Sequence, residues 1–201
     1  MQWKIALSWV SGYFIFQLYN PVLFMYFGPV EAGKMGMTLT LTTAVSTLAM
    51  SWMNTKSPIF GQLVAHRDFR SLDHLFRRTL LQSLGAAVLG GTVLWLMVVL
   101  LHVQQLPLSR RTLEPLPFAL LTAVAFLNVA ISAEAVYLRA HKQEPFLWIS
   151  VFMATANALS AYALGRVYGA MGMAVGALAV TLAGLAAATW IFVEKRSAWH
   201  R

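Results

Sequence analysis

Few side chains in this sequence have the means to do chemistry, and they are widely spaced. Glu134 is the one carboxylate well inside a long apolar stretch, and Gln17, Asn20, Asn128 and Asn157 are amides in apolar surroundings. Arg166 stands near the end of another such stretch, close to Tyr162 and Tyr168. A carboxylate within lipid is a functional candidate by default, as a proton or cation coupling site or as partner of a buried base. It can also snorkel or pair near the interface, and the direction Glu134 faces decides between these. An amide can line a polar path or hydrogen-bond one neighbouring helix, and Arg166 can contact an anion or anchor the chain at the interface.

Covalent and metal chemistry find no pattern to rest on. The sequence contains no GxxxxGK[ST], HExxH or GxSxG, and its acids and histidines are scattered. We therefore expect no catalytic residue, no metal, no cofactor and no enzyme activity.

What must position these residues is a set of membrane helices. Of 201 residues 59% are hydrophobic and 11% charged, where a soluble domain carries about 25% charged residues. A span needs about 20 apolar residues. Six windows qualify: Ile5 to Phe27, Met35 to Trp52, Leu80 to Leu101, Pro117 to Leu138, Phe146 to Tyr168 and Met173 to Val193. Nearly all charge falls between them, and no separate soluble domain has room.

The net charge of +8 sits at span ends rather than on one soluble face, which argues for membrane orientation over nucleic acid. Lys4, Lys56, Arg67, Arg70, Arg77, Arg78, Arg139, Lys142, Lys195, Arg196 and Arg201 fall on the side of the N-terminus. Lys34, Arg110, Arg111 and Arg166 fall on the other. That is eleven against four of the 15 basic residues, so the positive-inside rule puts both termini in the cytoplasm. Cysteine is absent, which removes disulfides and thiolate sites. The first apolar stretch is too long for a signal-peptide core and is expected to stay in the mature protein.

Local features refine the spans. Asn20-Pro21 predicts a kink in the first, because proline lacks the amide hydrogen that would reach Gln17; the kink serves either packing or a cavity. In the second, Thr38, Thr42 and Ser46 form one row and Thr43, Thr47 and Ser51 the next. Such rows either line a hydrated path or permit close packing while bonding back to their own helix. Ser57-Pro58 reads as the start of a short extension. Leu72, Leu75 and Phe76, opposed to Arg70, Asp73, His74, Arg77 and Arg78, predict an amphipathic piece lying along the inner surface. The Gly172 to Gly176 pair signals close helix contact, and the prolines at 107, 115 and 117 signal rigid turns.

Two stretches resemble polysaccharide flippases of the multidrug and oligosaccharidyl-lipid exporter superfamily. One opens with Ser11-Gly-Tyr-Phe-Ile-Phe-Gln-Leu-Tyr-Asn-Pro-Val-Leu-Phe24 and Gly28-Pro-Val-Glu-Ala-Gly33, and continues to Asn54-Thr-Lys-Ser-Pro-Ile-Phe-Gly-Gln-Leu63. It is similar to the family's seventh and eighth helices. The other, Tyr137-Leu-Arg-Ala-His-Lys-Gln-Glu-Pro-Phe146 with Tyr168-Gly-Ala-Met-Gly172, is similar to the tenth to twelfth.

The resemblance implies an all-α integral membrane bundle of six transmembrane helices, one C-terminal lobe of a twelve-helix exporter. A short amphipathic cytoplasmic segment would join spans two and three. It implies translocation of a lipid-linked oligosaccharide, as in lipopolysaccharide O-antigen synthesis, across the bacterial inner membrane by alternating access. Gln17, Asn20, Asn128 and Asn157 would line the path, Glu134 would couple transport, and Arg166 would meet a pyrophosphate or acidic sugar. The expected partners are membrane lipids, the lipid-linked glycan and a second six-helix lobe, either a missing N-terminal half or another copy; no nucleic acid is expected. The alternatives are a non-transporting assembly subunit, a truncated remnant, a drug or lipid exporter, or a membrane-bound glycan enzyme.

Overall fold

The computed structural model describes residues 18–141 and 145–199, and among these every regular element is helical. They are α1 (Tyr19–Phe27), α2 (Pro29–Ala65), α3 (Phe69–Val103), α4 (Pro115–Ala140) and α5 (Leu147–Trp199), with a 3-10 turn at Pro107–Arg111 before α4. Three of them, α3, α4 and α5, are long and apolar enough to cross a membrane. Leu89, Val103, Trp148, Phe152 and Trp190 are among many large apolar side chains that face outward, as a lipid-embedded surface requires. This is a membrane protein.

Three such helices rather than six is the difference from expectation, and its reasons are local. Residues 35–52 lie inside α2, whose hydroxyl rows dilute its apolarity. Most of the window at 5–27 falls outside the described residues. The windows at 146–168 and 173–193 run together in α5, whose 53 residues are interrupted at Gly169 by non-helical backbone (φ 59°, ψ −143°).

The chain reverses there. Gly165 faces Met173, Gly176 faces Ser160 and Gly184 faces Met153, so residues 147–168 and 170–199 are antiparallel legs of a hairpin turned on one glycine. Gly28 (φ 86°, ψ 176°) separates α1 from α2 in the same way, with the Asn20 amide across from Gly36. The two turns meet, for the Phe27 ring lies 3.3 Å from the Cβ that Gly169 lacks. We call this the glycine-turn end and the opposite one the basic end.

At the basic end α2 passes into α3 through His66 to Asp68, where Arg67 takes a positive φ of 56° and Asp68 caps α3 by accepting from the Ser71 amide (3.1 Å). Hydrogen bonds to Ser71 hold the Asp68 carboxyl below the usual range. The cap is therefore present above the ordinary carboxyl pKa and is lost only as pH falls through the depressed one. The expected amphipathic surface segment is not separate. Residues 57–65 continue α2 through Pro58, and residues 69–79 are the first turns of α3. Phe60, Leu72 and Phe76 are buried there, which keeps the two helices paired beyond the apolar layer.

α4 is the central helix, packing against α2, α3 and α5. Around it, Tyr19, Leu23, Met35, Leu121 and Met173 form one core toward the glycine-turn end. Met53, Phe60, Phe76, Tyr137 and Phe192 form another toward the basic end.

The two turns define a stability test. Alanine at Gly28 or Gly169 must adopt backbone angles that side chains disfavour, at about 1–3 kcal/mol each. Gly28→Ala and Gly169→Ala should each lower the midpoint of detergent-induced unfolding. Gly85→Ala, in helix with nothing within 4 Å of the new methyl, should leave it unchanged or raise it by up to about 1 kcal/mol.

Candidate functional site

The residues singled out by type do not gather into one site. Gln17 lies outside the described residues. Asn157, buried in the first leg of α5, accepts a 2.8 Å hydrogen bond from the hydroxyl of Tyr19, itself fully buried. It ties α1 to α5 inside the bundle. Asn20, next along α1, turns toward Gly36 instead, and its Oδ1 is buried without a partner among the described residues. Asn128 is half-buried on α4, one turn from the exposed Ser132.

Glu134 faces inward. It is 8% exposed, with Oε1 accepting from Thr189 on the second leg of α5 (2.9 Å) and Oε2 buried with no partner among the described residues. It neither snorkels nor forms a salt bridge among the described residues.

Arg166 is exposed near the glycine-turn end, with its guanidinium 5.6 Å from the centre of the Tyr162 ring. The Tyr26 hydroxyl donates to that of Tyr162 (3.4 Å). A cation over tyrosine beside a second tyrosine is the chemistry of an interfacial belt.

The hydroxyl rows of α2 face two ways. Thr38 and Thr42 are buried, and Thr38 Oγ1 accepts from the Leu113 amide (3.3 Å). Thr40, Thr43, Thr47, Ser51 and Asn54 are exposed and fall within a sector of about 80° at 3.6 residues per turn. Met37, Leu48, Trp52 and Ile59, also exposed, occupy the adjoining sector of about 60°, with the exposed Thr55 at its edge nearest the hydroxyls. One open face of α2 is thus half polar and half apolar. Thr40, Thr47 and Ser51 donate to their own helix at 2.6–2.9 Å, so their lone pairs remain to accept.

At the basic end Asp73 joins three helices. It takes the Tyr137 hydroxyl at 2.8 Å and the Arg196 guanidinium through Nε at 3.1 Å and Nη2 at 2.5 Å. Around it Phe76, Tyr137 and Phe192 form a ring cluster with centroids 4.8–5.4 Å apart. Sequence reading grouped Asp73 and Arg196 with solvated charges, since 123 residues separate them and no local pattern links them. Among the described residues no three His, Asp or Glu side chains converge as a metal would need.

No protein-family model matches this chain, and neither a curated protein nor a solved structure matches it.

The Tyr19–Asn157 bond gives a direct test of which role Asn157 plays. Such bonds in membrane helices are worth about 0.6 kcal/mol on average and up to about 1.7. Tyr19→Phe and Asn157→Leu should each destabilise the fold. In the double variant they should couple by an amount in that range, read from unfolding midpoints. Zero coupling would return Asn157 to the set of path-lining candidates.

Proposed function

We propose that this chain makes six crossings of a bacterial inner membrane, with both termini in the cytoplasm, and forms one lobe of a flippase for lipid-linked oligosaccharides. The observation that carries the reading is the exposed stripe of Thr40, Thr43, Thr47, Ser51 and Asn54. Back-bonding to their own helix lets single hydroxyls such as Thr40, Thr47 and Ser51 sit in lipid, but five polar side chains gathered on one exposed face, Asn54 among them, also offer acceptors that suit water and sugar hydroxyls. The adjoining Leu48 and Trp52 then mark the limit of that path, where the lipid tail stays in hydrocarbon.

The remaining features fit this assignment. The two legs of α5 count as two spans, α2 as another, and the first window as a sixth beside α3 and α4. Among the described residues Lys56, Arg67, Arg70, Arg77, Arg78, Arg139, Lys195 and Arg196 belong to the basic end and Lys34, Arg110, Arg111 and Arg166 to the other, a bias that supports a cytoplasmic basic end. A second lobe faces the stripe across the path, and the two rock to alternate access. Glu134 couples this motion to a proton, Asn20 and Asn128 flank the path, and Arg166 receives an anionic part of the substrate at the outer end.

The chain has no cysteine, so single cysteines report without background. Thr47→Cys and Ser51→Cys should react with a membrane-impermeant maleimide several-fold faster than Leu48→Cys and Trp52→Cys. In proteoliposomes the protein should move a fluorescent lipid-linked oligosaccharide out of reach of an external quencher. Thr47→Leu with Ser51→Leu should slow that transfer about tenfold, equivalent to about 1.4 kcal/mol. Transfer no faster than in protein-free vesicles, alone and with any co-purifying lobe, sinks the transporter reading and leaves an assembly role.

A further inference from the structure

The cleft at the basic end between α3 and the second leg of α5 carries an inference that the transport reading does not use. These helices pack on α4 more than on one another, which leaves a cavity of 460 Å³ lined by Asp73, His74, Phe76, Arg77, Leu80, Phe192 and Arg196. Its charge is ordered by depth. α3 runs from the basic end inward and the second leg of α5 runs toward it. His74, Arg77 and Arg196 therefore lie at the mouth, and Leu80 and Phe192 about one turn deeper.

The mouth is positive although it contains an acid. Asp73 is engaged by Arg196 through Nε and Nη2 and by the Tyr137 hydroxyl. Arg77 is exposed with no ion-pair partner among the described residues. His74 is exposed beside it. Two guanidinium groups and an imidazole above an aromatic and aliphatic floor match a phosphate joined to an acyl chain. A soluble anion would leave that floor unused.

We propose that this cleft is a binding site for one anionic phospholipid of the leaflet at the basic end, with its phosphate held by Arg77, Arg196 and His74 and an acyl chain along Leu80 and Phe192. The bound lipid acts as a strut between α3 and α5, completing the contact that Asp73 and Arg196 begin.

Native mass spectrometry of the full chain, released from detergent with dioleoylphosphatidylglycerol or dioleoylphosphatidylcholine, tests this. One phosphatidylglycerol should be retained per chain, about tenfold more tightly than phosphatidylcholine. Combining His74→Gln with Arg77→Gln should erase that preference, and combining Arg110→Gln with Arg111→Gln, at the opposite end, should not. Equal retention of the two lipids by the unaltered protein overturns the site without reference to any variant. Equal loss from both pairs of substitutions overturns its location. Release of the lipid by millimolar inorganic phosphate would show that the cleft selects a free phosphate, and would overturn the lipid assignment. None of these readouts depends on transport.

Discussion

Lipid offers a backbone amide or carbonyl no partner, so a chain that turns in or near it must do so with the fewest unpaired groups. Here the two sharpest reversals each spend a single residue. Gly28 and Gly169 both have backbone angles closed to ordinary side chains, and both lie at the same end of the bundle. Because neither turn projects a loop, they can touch, with Phe27 of one covering the bare Cα of the other. That contact fixes α1 beside the α5 hairpin, and only then can the Tyr19 hydroxyl reach Asn157. The same constraint turns hydroxyls back on their own helices, as in Thr42 donating to the Thr38 carbonyl (3.0 Å).

Burial inside lipid carries no hydrophobic reward of the aqueous kind, so close packing and a few hydrogen bonds must hold the helices. The small residues meet this need unevenly. Along the α5 hairpin Gly165, Gly172, Gly176 and Gly184 leave no room for a Cβ, while the basic-end core is filled by aromatic rings. The difference follows from environment: at the basic end α2 and α3 extend past the apolar layer, where burying Phe60 and Phe76 does remove apolar surface from water. One bundle is therefore stabilised by two kinds of force at its two ends.

Much of this was legible in the sequence, and what was not has a physical cause. The apolar windows at 80–101 and 117–138 lie within α3 and α4, because length and apolarity are what a bilayer selects. The windows ended where charges began, yet α2 and α3 continue past them. A helix outside lipid needs only one apolar face, and Phe60 and Leu72 supply it. Periodicity revealed two hydroxyl rows on α2 but not which looked inward, since that depends on where α1 and α4 pack. The Tyr19–Asn157, Glu134–Thr189 and Asp73–Arg196 contacts join residues 55 to 138 positions apart, and local pattern does not predict such pairs.

If the chain transports as proposed, the placement of Glu134 limits how it can act. It does not face the polar stripe of α2; it sits between α4 and the second leg of α5, held by Thr189. A proton gained or lost there changes no contact with a sugar. It changes the fit of one helix against the hairpin, and α4 also packs against α2, which carries the stripe. Coupling on this reading runs through the pose of α4 rather than through the substrate. On that reading the carboxylate and the path occupy different faces of the bundle, the one dry beside Thr189 and the other wet along α2.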